Sequence, residues 1–303
     1  MKVWFLIKDG EDDEENRRFK EEAEKEHIEV QFVKSEDFDI VITKEGRKSV
    51  LYNGNYINLP DCLIPRRGAS TTYFDLVVIR HLEKLGVFTV NSSHSVEIAK
   101  DKLQTLQTLA VNKIPIPKTM FAKMPLDVNF IEKEFMFPLI IKTISGTQGK
   151  GVFLCNDKEQ FEDFIDFVEV SKDPYVNIIL QEFVSFSKGK DIRVFIIGGR
   201  AVGAMMRVAK EGRVRANFSI GGEVLPFELN PEIEWLAVES AKVLGLDIAG
   251  VDILFDDNNN YLVNEVNSSP GFKGFERATG INIPKEIYHY IKVRLGFFQE
   301  FNK

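Results

Sequence analysis

Two short runs in the last third of the chain, residues 250–255 and 261–266, are apolar at almost every position, yet each carries a carboxylate, Asp252 and Glu265. The residues between them, Asp256-Asp257-Asn258-Asn259-Asn260, are turn formers, so the pair reads as a β-hairpin. Strands this apolar need covering, and acids within them cost stability unless paired or bound to a metal. Residues two apart on a strand share a face, so Glu265 and Asn267 project together, with Asp252 opposite across the hairpin. Two carboxylates and an amide oxygen form a hard oxygen-donor set that suits Mg²⁺ bridging the phosphates of a substrate. The alternative is the polar outer face of a surface hairpin, and the surrounding Val, Ile, Leu and Phe weigh against it.

A second hairpin precedes this one, with strands at 191–197 and 201–208 around Gly198-Gly199. Between the hairpins Asn230-Pro231 opens a helix, along which Ile233, Leu236, Ala237, Ser240, Ala241 and Leu244 recur at helical spacing until Gly245. The first ~90 residues differ in character, alternating strand and helix signals. Strands are predicted at 3–7, 30–33, 39–43, 62–65 and 87–90, a charged helix with a thin apolar side (Phe19, Ala23) at 16–26, and a helix at 74–85 closed by Gly86. That order predicts a small α/β domain with a mostly parallel sheet. One helix over 95–110 follows, with Ala99, Leu103, Leu106 and Ala110 on one face, ended by Pro115 and Pro117. Strands at 137–142, 152–155 and 178–184 and a helix at 161–168 complete the middle. The expected class is α+β with an α/β N-terminal part, not a single doubly wound sheet, in three units: 1–95, 96–185 and 186–303.

The 303 residues, 44% hydrophobic and 28% charged, describe an ordinary globular chain and exclude disordered, collagenous and membrane-spanning classes. The two cysteines and four histidines share no metal-ligand or disulfide spacing. The net charge of −7 is concentrated in residues 9–26, which hold ten acids and four bases. No basic stripe marks a nucleic-acid binder. The N-terminal apolar run of five residues is too short for a secretory leader, so a cytoplasmic protein is expected, with neither membrane nor nucleic acid among its partners. The acidic run reads either as a solvated helix face or as a dock for a basic protein.

Lys142-Thr143-Ile144-Ser145-Gly146-Thr147-Gln148-Gly149-Lys150-Gly151 places three glycines within six residues between two strands. Such a loop leaves backbone N–H groups free to face an anion. Its spacing is neither a Walker A loop nor a Rossmann fingerprint. A flap closing over phosphates, with Lys142 as a fixed cation, and a flexible hairpin tip are both open readings. Leu180-Gln181-Glu182-Phe183-Val184 could offer backbone groups to an adenine edge, and Asp191 could accept from a ribose hydroxyl, although an ordinary edge strand has the same appearance. Arg207, Arg213 and Arg215 with Asn217 make a basic cluster whose forks suit carboxylates and phosphates.

Together these features resemble the ATP-grasp superfamily and, within it, the RimK-like glutamate ligases. The resemblance runs over nearly the whole chain. It is carried by Ile64-Pro65-Arg66-Arg67-Gly68-Ala69-Ser70, Lys100-Asp101-Lys102-Leu103, the glycine loop, Lys190-Asp191-Ile192-Arg193, Ala209-Lys210-Glu211-Gly212, Ala249-Gly250-Val251-Asp252-Ile253-Leu254 and Asn264-Glu265-Val266-Asn267-Ser268-Ser269-Pro270-Gly271. It implies a pre-ATP-grasp domain followed by two α+β subdomains clasping ATP. It implies that Lys102 and Lys142, with Ser145, Gly146, Gln148 and Gly149 of the loop, meet the phosphates. Gln181, Glu182, Phe183 and Val184 would line the adenine, Asp191 the ribose, and Arg215 and Asn217 the phosphate side. Asp252, Glu265 and Asn267 would hold Mg²⁺, as two ions, with Mn²⁺ a possible substitute. Arg207 would stabilise a tetrahedral intermediate or hold a substrate carboxylate, with Lys142 beside it as the second catalytic group.

The implied reaction is ATP-dependent amide formation between a carboxylate and an amine through an acyl phosphate, with release of ADP and phosphate. The substrates would be an amino acid, glutamate foremost, and a peptide, protein or small acid; family analogy adds a homo-oligomer. Two departures from the pattern bear on the acceptor. Members acting on glutamate read Leu-Glu-Gly-Ile-Glu where this chain has Phe272-Lys273-Gly274-Phe275-Glu276, and Met205-Met206 replace a more polar pair. The alternatives are a ligase that cross-links side chains of a precursor peptide by ester or amide bonds, and a nucleotide-binding scaffold without turnover.

Overall fold

The computed structural model describes residues 1–297 apart from 9, 11–12, 43, 45–49, 144–150, 171–176, 211–221 and 259. The N-terminal part runs β1 (Lys2–Leu6), α1 (Glu14–Lys25), β2 (Glu29–Val33), β3 (Phe38–Ile40), β4 (Val50–Tyr52), β5 (Asn55–Tyr56), β6 (Cys62–Pro65), α2 (Tyr73–Lys84) and β7 (Phe88–Thr89). Its main sheet has the order β2-β1-β6-β7 with every pair parallel, as the strand–helix alternation predicts. The antiparallel strands β3 to β5 form a separate small sheet. Asp13 caps α1 through the Glu15 N–H, and Thr72 with Asp75 closes a capping box at the start of α2. Strand order runs outward in opposite senses from β1 and β6, so a crevice opens beyond the carboxyl ends of these two strands.

The single helix expected over 95–110 is two helices, α3 (Ser93–Lys100) and α4 (Lys102–Val111). Asp101 between them is extended (φ −88°, ψ 106°), and its carboxylate accepts from the N–H groups of Leu103 and Gln104. The apolar spacing carries across the break, but an aspartate with two capping bonds restarts the helix and places Lys102 at its first position. The second sheet follows: β8 (Thr119–Lys123), α5 (Val128–Glu134), β9 (Leu139–Thr143), β10 (Val152–Cys155), α6 (Lys158–Val170) and β11 (Asn177–Glu182), in the order β10-β9-β11-β8 and antiparallel throughout. α5 and α6 cover one face, where Ile131, Phe161 and Ile165 pack on Leu139, Ile141 and Leu180.

The third sheet is made by β12 (Lys190–Ile197), β13 (Arg200–Val208), β14 (Glu223–Phe227), β15 (Ile248–Phe255) and β16 (Tyr261–Asn267), in the order β14-β13-β12-β15-β16. α7 (Pro231–Val243), capped by Asn230, lies against one face, and Leu109 of α4 and the following Ile114 join that core. Two further helices, α8 (Lys273–Thr279) and α9 (Ile283–Leu295), each end at a left-handed glycine, Gly280 and Gly296. Phe195, Met205, Phe275, Ile287, Tyr288 and Ile291 share one core with Val3 and Phe5 of the first sheet, so the chain's end packs against its beginning. Burial of each such aromatic or aliphatic side chain contributes about 1.5–3 kcal/mol, and the Tyr288 hydroxyl donates to the Phe19 carbonyl at 3.0 Å. No helix among the described residues is long and apolar enough to cross a membrane.

Part of the acidic run is paired within the molecule. Arg18 pairs with Glu276 (3.2 Å), Glu26 with Lys292 (2.5 Å) and Glu14 with Lys273, while Asn282 donates to Glu22 at 3.0 Å. α1 keeps the expected solvated face, with Glu14, Glu21 and Glu24 exposed, and buries Phe19, Glu22 and Ala23 on the other. Glu14 and Glu26 meet lysines supplied by α8 and α9, elements whose helical character the sequence reading left unassigned.

Candidate active site

Register along the hairpin of β15 and β16 explains how its polar residues come to face one cleft. Asp252 pairs with Glu265 but Ile253 pairs with Val263, which leaves Asn264 as the extra residue of a β-bulge. Val263 and Val266 both enter the core under α7, a spacing of three that strict alternation forbids. Asn264 and Glu265 are thereby turned toward the second sheet. There they line a cleft of about 400 Å³, mouth included, with Lys102, Thr105 and Leu106 of α4 and with Lys142, Ile179 and Gln181.

Lys142 is the centre of this cleft. Its ammonium donates to Gln181 Oε1 at 2.6 Å and to Asn264 Oδ1 at 3.1 Å, and Gln181 Nε2 in turn donates to Thr119 Oγ1 at 2.9 Å. Burial pushes its pKa down to about 8; the Glu265 charge opposes this, and Lys102 adds to it. Four sequence-predicted residues, Lys102, Lys142, Gln181 and Glu265, therefore meet in one place. Glu182, Phe183 and Val184 lie at the end of β11 and just beyond it, partly buried, outside the cleft lining. The Val184 N–H donates no hydrogen bond among the described residues.

A second group occupies the neighbouring strands. Arg193 holds Asp252 with two parallel bonds, Nε to Oδ1 and Nη2 to Oδ2, both 2.7 Å. Arg207 bridges Asp252 Oδ2 at 2.8 Å and Asp191 Oδ1 at 2.5 Å. Burial pushes the Asp252 carboxyl up, but the two guanidinium groups outweigh it and hold the group below the usual range. For Asp191 burial, joined by the Asp252 charge, wins over Arg207 and Arg193, and its pKa stays raised. The carboxylates keep Arg207 charged despite its burial. The ribose role expected of Asp191 must therefore share that carboxylate with Arg207. Of Arg207, Nε and Nη2 are engaged.

Sequence reasoning missed Arg193 and Asn264. Arg193 is legible in retrospect, because it stands two residues beyond Asp191 on the same strand face. Asn264 carries no such signal, since only the bulge aims it. Ser145, Gly146, Gln148, Gly149, Arg215 and Asn217 lie outside the described residues.

The donor set fits a divalent cation. The Glu265 carboxylate makes no hydrogen bond or ion pair among the described residues. Asn267 Nδ2 is buried without a partner, and an amide oxygen turned to that position would be satisfied by a cation. Asp252 spends three of about four lone-pair directions on arginine, which leaves one on Oδ1. Among the described residues no three His, Cys, Asp or Glu side chains converge as a metal site, so the set depends on its amide.

Residues 99–291 match the RimK-like ATP-grasp domain and residues 1–96 the RimK pre-ATP-grasp domain. A protein of Legionella pneumophila named probable alpha-L-glutamate ligase is 39% identical over 278 residues, covering 91% of each chain. One of the same name from Thioalkalivibrio sulfidiphilus is 38% identical over 294 residues, 96% of this chain and 95% of that one. The solved structure of the ATP-grasp ligase PsnB, complexed with a variant of its minimal precursor, Mg and ADP, superposes with a TM-score of 0.77 over 97% of this chain and 98% of that one; at 20% identity this is a likeness of fold. From its first strand to its last helix, the chain belongs to the RimK-like ATP-grasp family.

Proposed function

We propose that the protein is an ATP-dependent carboxylate–amine ligase that joins glutamate, or a similar amino acid, to a peptide, protein or small acid as an amide. The observation that carries this reading is the convergence of Lys102, Lys142, Gln181 and Glu265, from four separate elements, on one cleft. Relatives 38–39% identical that bear the name glutamate ligase support the choice of amino acid.

In this reading the substrate carboxylate attacks the γ-phosphorus of ATP, giving an acyl phosphate and ADP; the amine then displaces phosphate and loses its proton. Lys142, mostly protonated at neutral pH, neutralises phosphate charge, and its two amide partners aim it. Lys102, at the first position of α4, adds a second positive charge. Mg²⁺, held by Asp252, Glu265 and Asn267 when bound, supplies charge neutralisation at the transferring group. The free Val184 N–H and the backbone of Glu182 suit an adenine edge, with Phe183 beside them. Asp191 retains lone pairs for a ribose hydroxyl, and Arg207 retains Nη1 for a substrate carboxylate or oxyanion. No protein nucleophile is needed: Cys62 and Cys155 are buried, and burial pushes the Cys155 thiol up to about 11.

ADP release measured with Mg²⁺ and a panel of amino acids tests the reading. Turnover with L-glutamate is expected, and product mass should rise by one residue per cycle. Loss of water from a precursor peptide would identify the cross-linking alternative, and no ADP under any condition would leave a nucleotide-binding scaffold.

A further inference from the structure

Residues 268–273 leave β16 directly after Asn267 and run into Phe272 and Lys273, where this chain begins to depart from the glutamate-ligase pattern. They are held almost entirely from the N-terminal part. Asn91 Nδ2 donates to the Ser268 carbonyl at 2.8 Å. Arg66 Nη1 donates to the Pro270 carbonyl at 3.2 Å, and Arg66 Nη2 to Glu15 Oε2 at 2.5 Å. The other oxygen of Glu15 accepts from the N–H groups of Phe272 (2.6 Å) and Lys273 (2.9 Å). The Arg66 guanidinium lies over the rings of Phe19 and Phe272, at 5.5 and 5.6 Å, which fixes its plane. Arg66 follows β6 and Glu15 opens α1, so the pair sits at the crevice beyond the carboxyl ends of β1 and β6. There an open parallel sheet presents groups to ligands.

The nucleotide cleft lies on the α4 side of β16. A carboxylate or amine reacting at the terminal phosphate must approach past the cation donors from another side, where residues 268–273 begin. We propose that Arg66 and Glu15 form a positioning pair: by clamping residues 268–273 they hold the wall against which the amino-acid substrate is oriented. The inference rests on the ligase reading above. Neither residue touches the reacting atoms; each acts through the segment it holds.

Glu15→Gln separates the pair's two functions. One oxygen remains to accept from Phe272 and Lys273, while the ion pair with Arg66 is lost. With L-glutamate as the only co-substrate, since it carries both a carboxylate and an amine, the KM for glutamate should rise about tenfold while the KM for ATP moves less than about twofold. Arg66→Lys should show the same split, because a lysine cannot reach both Pro270 and Glu15 with one planar fork. Hydrogen exchange of the ligand-free protein should quicken at residues 268–273 in both variants. Glu21→Ala, which removes an exposed acid of α1, is the control that should change neither constant. The proposal is overturned if glutamate KM stays put, if both KM values rise together, or if exchange in the segment is unchanged. If the wild type itself releases no ADP with glutamate, the ligase reading falls first and the positioning role falls with it.

Discussion

Replacing Arg207 by methionine removes the one cation that Asp191 contacts while leaving Asp252 its bidentate bond to Arg193. At 2.5 and 2.8 Å the two contacts are tight. Unit charges about 4 Å apart attract by about 4 kcal/mol at an effective dielectric of 20, before desolvation is subtracted. Methionine fills much of the arginine volume, so the main loss is the uncompensated Asp191 carboxylate, and about 3–5 kcal/mol of stability should go. The pH dependence gives the cause away. Burial already raises the Asp191 pKa, and without Arg207 it must rise further. A carboxyl whose folded pKa exceeds its unfolded value lends stability below the unfolded pKa and loses it as pH climbs through the folded one. The variant's deficit should therefore be smaller near pH 5 than near pH 8. Urea unfolding at the two pH values measures it directly, and Arg207→Met combined with Asp191→Asn should recover more than half of the loss. A deficit under about 1 kcal/mol, one that is equal at both pH values, or a double variant no better than the single would refute the account of Arg207 as the tie between two buried acids.

Further outcomes concern the cleft. Lys142→Ala should raise the KM for ATP by about tenfold or more, since it removes a desolvated charge that faces phosphate. In the wild type kcat/KM for ATP should fall as pH rises past about 8, where Lys142 loses its proton; Lys142→Arg should carry the plateau to higher pH. Glu265→Gln should abolish Mg²⁺-dependent ADP release while leaving the thermal midpoint within a few degrees, and wild-type turnover in that variant would remove Glu265 from the cation set.

Local signals revealed the elements; packing determined how they combine. Strand–helix alternation in the first 90 residues correctly implied a parallel sheet, and Asn230-Pro231 with its 3.6-residue pattern gave α7 almost to the residue. The pairing of Asp252 with Glu265 followed from hairpin symmetry. What the pattern could not supply was the bulge at Asn264, because one extra residue in a strand leaves no mark in composition, yet it decides which side chains face the cleft. Nor could it foresee that Glu14, Glu15 and Glu22 of α1 would be answered from residues more than 200 positions away. Charge complementarity between distant segments becomes visible only when the fold brings them together. Asp101 misled for another reason: the apolar spacing of α3 continues through α4, and the cap that divides them is a single side chain.

The loop that follows the cation donors can also be disturbed from the strand beneath it. Gly250 pairs with Phe195 on one side and Asn267 on the other, and a Cβ added there would stand 2.7 Å from Pro270 Cβ and 3.6 Å from Arg193 Nε. Pro270 is a rigid ring whose carbonyl is gripped by Arg66. Alanine at 250 must therefore push the loop outward, at a cost of about 1–3 kcal/mol. Gly203, on the next strand but one, is crowded to a similar degree, yet its closest neighbour is the terminal methyl of Ile281 at 2.9 Å, which can swing aside. The two alanine variants thus separate crowding in general from displacement of residues 268–273. Gly250→Ala should lower stability and raise the KM for glutamate, whereas Gly203→Ala should cost less stability and leave that KM alone. Equal KM values in the two variants would mean that the loop's position does not govern how the amino acid binds, and the role given to Arg66 and Glu15 would lose its physical basis.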